Sequence, residues 1–387
     1  MKKYNHTISA CYLGYVTQAI INNFLPLLFL TFHRQYGISM EKITLIITIN
    51  FVTQMVLDLL ATRFVDRIGY RACAIIAHVA SAAGLMGLGI LPQLMDPYTG
   101  IIVSVMLCAV GGGMIEVIVS PIVEACPTDN KESVMSILHS FYCWGFLFVV
   151  LLSTGYFTLF GVDNWRYLAF VWALIPALNS VIFTKVPIES LLPEGEGLSL
   201  LNLCKEKVFW ILAILMVCAG ASEQAICQWA STFAQEGLGV SKTVGDLAGP
   251  CVFALSMGLS RVFFAKCSEK TPIEKIMSVF CILGVVGYLT VAFMPINVLA
   301  FAGCAICGVA VAVFWPGTFS MSVKECPRGG SIMFVMLALF GDIGCAMGPT
   351  VVGFSLGLFE DNLRIALLTA IIFLITMLWG LRRLMKK

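Results

Sequence analysis

The sequence predicts an all-α, polytopic membrane protein with twelve transmembrane helices in two pseudo-symmetric six-helix bundles. Three observations predict it: an oil-soluble composition, twelve apolar runs of bilayer length, and a repeat relating the two halves of the chain. Of 387 residues, 59% are hydrophobic and 12% charged, against roughly 25% charged in soluble domains. Most of the chain therefore cannot have water as its solvent. The net charge of +2, from 24 basic and 22 acidic residues, is too small to draw a polyanion, so no nucleic-acid partner is expected. Fifteen cysteines lie almost singly in apolar runs, where a thiol packs as a small hydrophobe. The close pair Cys304 and Cys307 has no neighbouring histidine, and neither a metal site nor a cofactor is expected.

A hydrocarbon core about 30 Å thick takes roughly 20 apolar residues of helix. Runs of that length fall at about 7–33, 42–62, 72–93, 99–124, 134–160, 166–184, 207–235, 245–267, 275–294, 298–323, 329–358 and 362–381, separated by polar breaks. Lys2 and Lys3 precede the first run, which lacks a small-residue cleavage signature. It reads as a retained helix and not a signal peptide. With a cytoplasmic N-terminus, only Arg34, Lys42, Arg166, Lys242 and Arg364 fall outside and every other basic residue inside, as the positive-inside rule requires. Both termini are then cytoplasmic, and the cell membrane is the expected location. Trp165 and Tyr167 flank the outer end of helix six, and Trp379 precedes Arg382 and Arg383 at the inner end of helix twelve; these suit the bilayer interface.

The halves resemble each other at an offset of roughly 200 residues. Helix one ends Thr31-Phe32 and runs into Gly37-Ile38-Ser39; helix seven ends Thr232-Phe233 and runs into Gly239-Val240-Ser241. Helix four ends Val123-Glu124-Ala125-Cys126-Pro127, and helix ten Val323-Lys324-Glu325-Cys326-Pro327. The expected domains are an N-terminal bundle over 1–185, a cytoplasmic linker over 186–206 and a C-terminal bundle over 207–387, with solute bound between the bundles near the midplane. On this register Asn22 faces Glu223, and Asp58 corresponds to Arg261.

Between helices two and three the chain reads Thr62-Arg63-Phe64-Val65-Asp66-Arg67-Ile68-Gly69-Tyr70-Arg71, expected as a short loop. This resembles the major facilitator motif G-x-x-x-D-R-x-G-x-R, with Thr62 in place of the opening glycine. Asp66 suits a helix N-terminus or a basic group, Gly69 a tight turn, and Arg67 and Arg71 the cytoplasmic face. With Asp58 and Arg261, these form the expected gating set. The second-half counterpart Lys266-Cys267-Ser268-Glu269-Lys270 keeps charge but loses the glycines.

Further stretches resemble the fucose permease branch of sugar–proton symporters within that superfamily. They are Gly111-Gly112-Gly113-Met114-Ile115-Glu116, His139-Ser140-Phe141 with Trp144-Gly145, Gly220-Ala221-Ser222-Glu223 with Trp229, and Gly258-Leu259-Ser260-Arg261. The resemblance implies the major facilitator fold and proton coupling at the helix-four carboxylate, here Glu116. That branch places a second acid after an asparagine in helix one, where this chain has Asn22 and Asn23.

A charge at the bilayer centre costs about 2.5–3.5 kcal/mol on insertion scales, so each should face a cavity or a partner. Glu116 shares one helix face with Gly112, Ser120 and Glu124 at four-residue spacing. Glu116, Glu223 and Asp342 are the candidate proton-coupling carboxylates; the bland reading of each is an interhelical hydrogen bond or ion pair. Asp342 is set among Gly341, Gly344, Gly348 and Pro349, residues that let helices approach closely. The candidate solute-binding groups are Gln18, Asn22 and Asn23 on helix one, Gln54 in the Asn50-Gln54-Asp58 stripe of helix two, His139 and Trp144 on helix five, and Gln224, Gln228 and Trp229 on helix seven. Amides and carboxyls suit hydroxyl-rich ligands, and an indole either stacks on a sugar ring or packs. Asp58 and Arg261 are alternatively an ion pair. Pro26 and Trp315-Pro316 should bend their helices, and His78 has no polar company in its helix.

These features point to a secondary active transporter, taking up a small polar solute such as a sugar with protons by alternating access, as a monomer in the lipid bilayer. One rival is a proton-driven exporter of drugs or lipid-like amphiphiles, which the 18 Met and 27 Phe would suit. Another is a non-transporting receptor, which would normally carry an added soluble domain. Enzymatic chemistry is not expected: no nucleophile, base and acid share one depth, and the adjacent His139 and Ser140 point different ways on a helix.

Overall fold

The computed structural model describes residues 2–127, 131–188, 200–267, 272–326, 329–360 and 362–385. Twelve helices among them are long and apolar enough to cross a membrane. They are α1 (Tyr4–Tyr36), α2 (Met40–Leu60), α3 (Tyr70–Leu94), α4 (Pro97–Val123), α5 (Ile137–Phe160), α6 (Val162–Lys185), α7 (Lys207–Gly237), α8 (Lys242–Phe263), α9 (Ile273–Phe293), α10 (Asn297–Ser322), α11 (Val335–Leu358) and α12 (Leu363–Met385). Large apolar side chains such as Leu159, Leu178, Phe263 and Leu358 stand out from these helices. A helix satisfies its own backbone bonds, so lipid can surround such side chains without stranding a polar group.

The chain divides into two compact units, Met1–Pro193 with α1 to α6 and Glu194–Lys387 with α7 to α12. Within the first, α3 packs on α4 and α6, α2 on α4, and α1 on α4, α5 and α6. The second repeats the scheme: α9 packs on α10 and α12, α8 on α10, and α7 on α10, α11 and α12. Small residues allow it, because apolar helices in lipid associate by close packing. A Cβ on Gly111 of α4 would overlap Ser81 and the Ala77 carbonyl of α3, and one on Gly287 of α9 would sit 2.7 Å from Cys307 Sγ of α10.

Several spans are broken where the sequence breaks them. α1 tightens into a 3₁₀ turn at Leu25–Leu28 around Pro26. α10 is interrupted between Val311 and Phe314, next to Trp315-Pro316. α7 ends in a π turn at Phe233–Gly237, and a second π turn over Leu247–Cys251 contains Pro250. Proline lacks the donor that would close the regular ladder.

One expectation is corrected at the connection after α2. The helix runs on through Ile68, so most of the anticipated loop is helical. The stretch 61–68 has neither Gly nor Pro to stop it. The turn is confined to Gly69, whose φ of 87° and ψ of 148° belong to a region essentially reserved for glycine. Arg71 in the first turn of α3 then reaches the end of α6. Its Nη1 donates to the carbonyls of Phe183 at 2.8 Å and Thr184 at 3.0 Å, and its Nη2 to Val186 at 2.9 Å. A cation there satisfies orphan carbonyls and opposes the helix dipole. Thr7 Oγ1 donates to the Pro187 carbonyl at 2.7 Å, so α1 holds the same exit.

Candidate functional site

In the first unit, the expected polar residues of α1, α2 and α4 converge. Gln18 lies four residues before Asn22, and Gln54 four residues after Asn50, so each pair occupies one helix face. Gly112 and Gly113 supply the space on α4: a Cβ on Gly112 would lie 3.4 Å from the Gln54 amide carbon, and one on Gly113 3.2 Å from Asp58 Oδ1. The result is a connected set of hydrogen bonds. Gln18 Nε2 donates to Glu116 Oε2 at 2.8 Å and to Gln54 Oε1 at 3.4 Å. Gln54 Nε2 donates to Asn22 Oδ1 at 3.0 Å, and Asn50 Nδ2 to the same oxygen at 3.4 Å. Gln18, Asn22, Asn50 and Gln54 are buried, while Glu116 is half-buried. Gln18 Oε1 is buried without a donor.

Around this set, Asn23 Nδ2 donates to the Ala19 carbonyl at 2.9 Å and to Tyr142 Oη at 3.4 Å. Tyr15 bridges helices, its Oη 3.3 Å from Ser120 Oγ and 3.4 Å from His139 Nδ1. His139 and Trp144 are both exposed on α5. Tyr12 stacks on Phe141 with ring centroids 4.3 Å apart, an α1–α5 contact that spacing did not reveal. The side chains of Asp66, Arg67 and Glu124 lie outside the described residues.

The second unit gathers a different set. Glu223 is buried, and its Oε2 lies 3.7 Å from Nη2 of Arg261. Arg261 Nε donates to the Ala312 carbonyl at 3.4 Å, at the interruption of α10. A broken helix leaves carbonyls unbonded and their dipoles directed at the gap, so the interruption helps hold a cation. Gln228 Nε2 donates to Gln224 Oε1 at 3.0 Å, the pair expected from its spacing. Trp229 takes a packing position: it is fully buried and its Nε1 donates to the Pro349 carbonyl at 3.0 Å, so protein atoms fill the space a stacked sugar would need. Asp342 is buried on α11, beside Gly341, whose missing Cβ leaves room for the Trp315 ring.

Two features escaped the sequence reading. His78 does have polar company: its Nδ1 is 2.8 Å from the Ala74 carbonyl, and Asn179 Nδ2 of α6 is 2.8 Å from its Nε2. The partner is 101 residues away, beyond any local spacing rule. Asp246 is buried where α7 and α8 meet, accepting from Ser231 Oγ and lying 2.9 Å from Lys242 Nζ. There the four-residue spacing to Lys242 was an available signal.

The described residues contain no group of three or more His, Cys, Asp or Glu able to hold a metal ion. What the arrangement offers is hydrogen-bonding capacity sunk in apolar helices. Residues 11–349 match the model of the Major Facilitator Superfamily, and the chain belongs to that superfamily of membrane transporters. Three solved structures share the fold over nearly their whole length. The nucleoside transporter NupG has a TM-score of 0.79 at 12% identity, covering 98% of this chain and 99% of that one. A D-xylose–proton symporter has 0.78 at 12%, covering 96% and 97%. The E. coli fucose:proton symporter FucP has 0.68 at 13%, covering 98% and 99%. At such identities these likenesses establish the fold alone. No curated protein sequence matches the chain.

Proposed function

We propose that the protein takes up a small, hydroxyl-rich solute such as a sugar together with protons, by alternating exposure of its polar groups to the two sides of the cell membrane. The observation that carries this reading is the contact between Glu116 and Gln18 at 2.8 Å, at one end of a buried run of carboxamides leading to Asn22. A carboxylate tolerated in oil needs a function or a partner; here one partner is a neutral amide, which can serve either protonation state. Glu116 takes the proton, while Asn22, Asn23, Gln54, Gln224 and Gln228 supply donors and acceptors matched to hydroxyls. Glu223 and Asp342 are the further candidate proton carriers. Protonation drives transport only through different affinities in the two conformations.

The supporting names among the structural relatives are a fucose:proton symporter and a D-xylose–proton symporter. The test is uptake into proteoliposomes of a panel of monosaccharides and nucleosides under an imposed proton gradient. Glu116→Gln is expected to abolish gradient-driven accumulation and to leave counterflow intact. Unchanged pH dependence in that variant removes Glu116 from the role, and outward movement of an amphiphilic dye in place of sugar uptake supports an exporter.

A further inference from the structure

We infer that Gln18 and Gln54 form an amide relay that reports the protonation state of Glu116 to Asn22. The inference rests on the reading of Glu116 as the proton site and adds the route by which that proton alters a solute-binding group. It stands on the direction of each hydrogen bond. Gln18 uses one nitrogen for both Glu116 Oε2 and Gln54 Oε1, at 2.8 and 3.4 Å, and leaves its own oxygen buried with no donor. That orphan acceptor is an expense in a low-dielectric interior. A proton arriving from water on the Glu116 carboxylate places a donor opposite the Gln18 nitrogen, where only an acceptor can meet it. Only the O–H bond on Glu116 forms; no other proton is transferred.

To accept from the new carboxylic acid, the Gln18 amide turns half a revolution, exchanging oxygen for nitrogen. Gln18 Oε1 then faces Gln54 Oε1, two acceptors without a hydrogen between them. Gln54 turns in response and donates to Gln18, which withdraws its nitrogen from Asn22 Oδ1, now 3.0 Å away. Asn50 Nδ2 also donates to that oxygen, at 3.4 Å, the longer of these two bonds. The Asn22 oxygen thereby exchanges its bond from Gln54 for one from a solute hydroxyl. Gly112 makes the turns sterically possible, since no side chain intrudes where its Cβ would lie 3.5 Å from Gln18 Oε1. Other titratable groups around the network are Tyr15 on α1, Asp58 on α2, and His139 and Tyr142 on α5; His78 on α3 is sequestered by Asn179. None of them touches the Gln18 or Gln54 amide through a described hydrogen bond.

The relay is read by infrared difference spectra of the full chain in lipid nanodiscs, between about pH 8 and about pH 5 to span a wide range of carboxyl titration, with isotope-labelled glutamine side chains. Acidification of the wild type is expected to bring a carboxylic-acid band and a simultaneous shift of labelled glutamine carbonyl bands. Glu116→Gln should lose the Glu116 component of the acid band together with the glutamine shift, and Gln18→Met should keep that component while losing the Gln54 shift. An acid band without any glutamine shift overturns the relay alone, as does a shift that survives Gln18→Met. Absence of an acid band attributable to Glu116 overturns the proton-site reading, and the relay with it. Should Gln18→Met not fold, the wild type and Glu116→Gln still decide.

Discussion

A side chain on Gly220 would run into the carbonyl oxygen of Gly341, and its Cβ would also stand 3.0 Å from Cys345. Helices α7 and α11 therefore touch backbone to backbone, as the glycines of the sequence suggested. Gly220→Ala should force them apart at a cost of about 1–3 kcal/mol, the usual range for overpacking. The check is the thermal unfolding midpoint of the purified protein, with Gly155→Ala as the control, because nothing lies within 4 Å of a Cβ at that position. Equal midpoints for the two variants would contradict the contact.

The Glu223–Arg261 pair makes a prediction about sign. Arg261→Leu leaves a buried carboxylate without its guanidinium and should cost about 3–5 kcal/mol, whereas replacing both partners with leucine should recover most of the loss. A double-mutant cycle on unfolding free energies reads the coupling. Additive losses would show that the 3.7 Å separation carries no coupling.

At the α2–α3 connection, Gly69→Ala places a methyl group on a backbone with φ of 87° and should cost about 1–3 kcal/mol. Arg71→Gln should act more locally. With the three carbonyl contacts gone, amide hydrogen exchange near residues 181–188 is expected to accelerate while α12 is unaffected. Uniform acceleration across both units would argue against a local cap.

Trp229→Phe should lower stability by about 1–3 kcal/mol, since the Pro349 carbonyl is left buried without its donor. Solute KM should stay within about twofold, a change below 0.5 kcal/mol. A large KM increase with unchanged stability would restore the stacking role.

Asp96 caps α4, accepting from the Thr99 amide at 3.0 Å and the Thr99 hydroxyl at 2.9 Å. These bonds, the amide first, hold its carboxyl below the usual carboxylate range. A depressed folded-state value contributes stability above the unfolded pKa and loses it as pH falls through the folded one. Asp96→Ala should therefore be less stable than wild type near neutrality, and the gap should close in acid. Parallel melting curves across pH would remove the cap from the account.

The spans were legible because a helix in lipid must be long, apolar and nearly free of charge, a condition written residue by residue. Pro26 and Trp315-Pro316 were legible as breaks for an equally local reason. The stretch at 61–68 misled because Arg63, Asp66 and Arg67 look like loop residues, yet charge beyond the bilayer does not unwind a helix; only Gly69 does. Partners were harder. Spacing marked Gln18, Asn22, Gln54 and Glu116 as polar faces but could not state which nitrogen meets which oxygen. Nor could it foresee that Asn179 would turn toward His78, or that Arg261 would find a freed carbonyl at Ala312. Such pairings depend on how helices distant in sequence rotate against one another.

The interruption of α10 separates the two halves in kind. Both units repeat one packing scheme, yet α4 runs unbroken past Glu116 while its counterpart opens at Ala312 to receive a guanidinium. Duplicated architecture has thus not duplicated chemistry: one acid answers to an amide that can face either way, the other to a permanent cation that cannot.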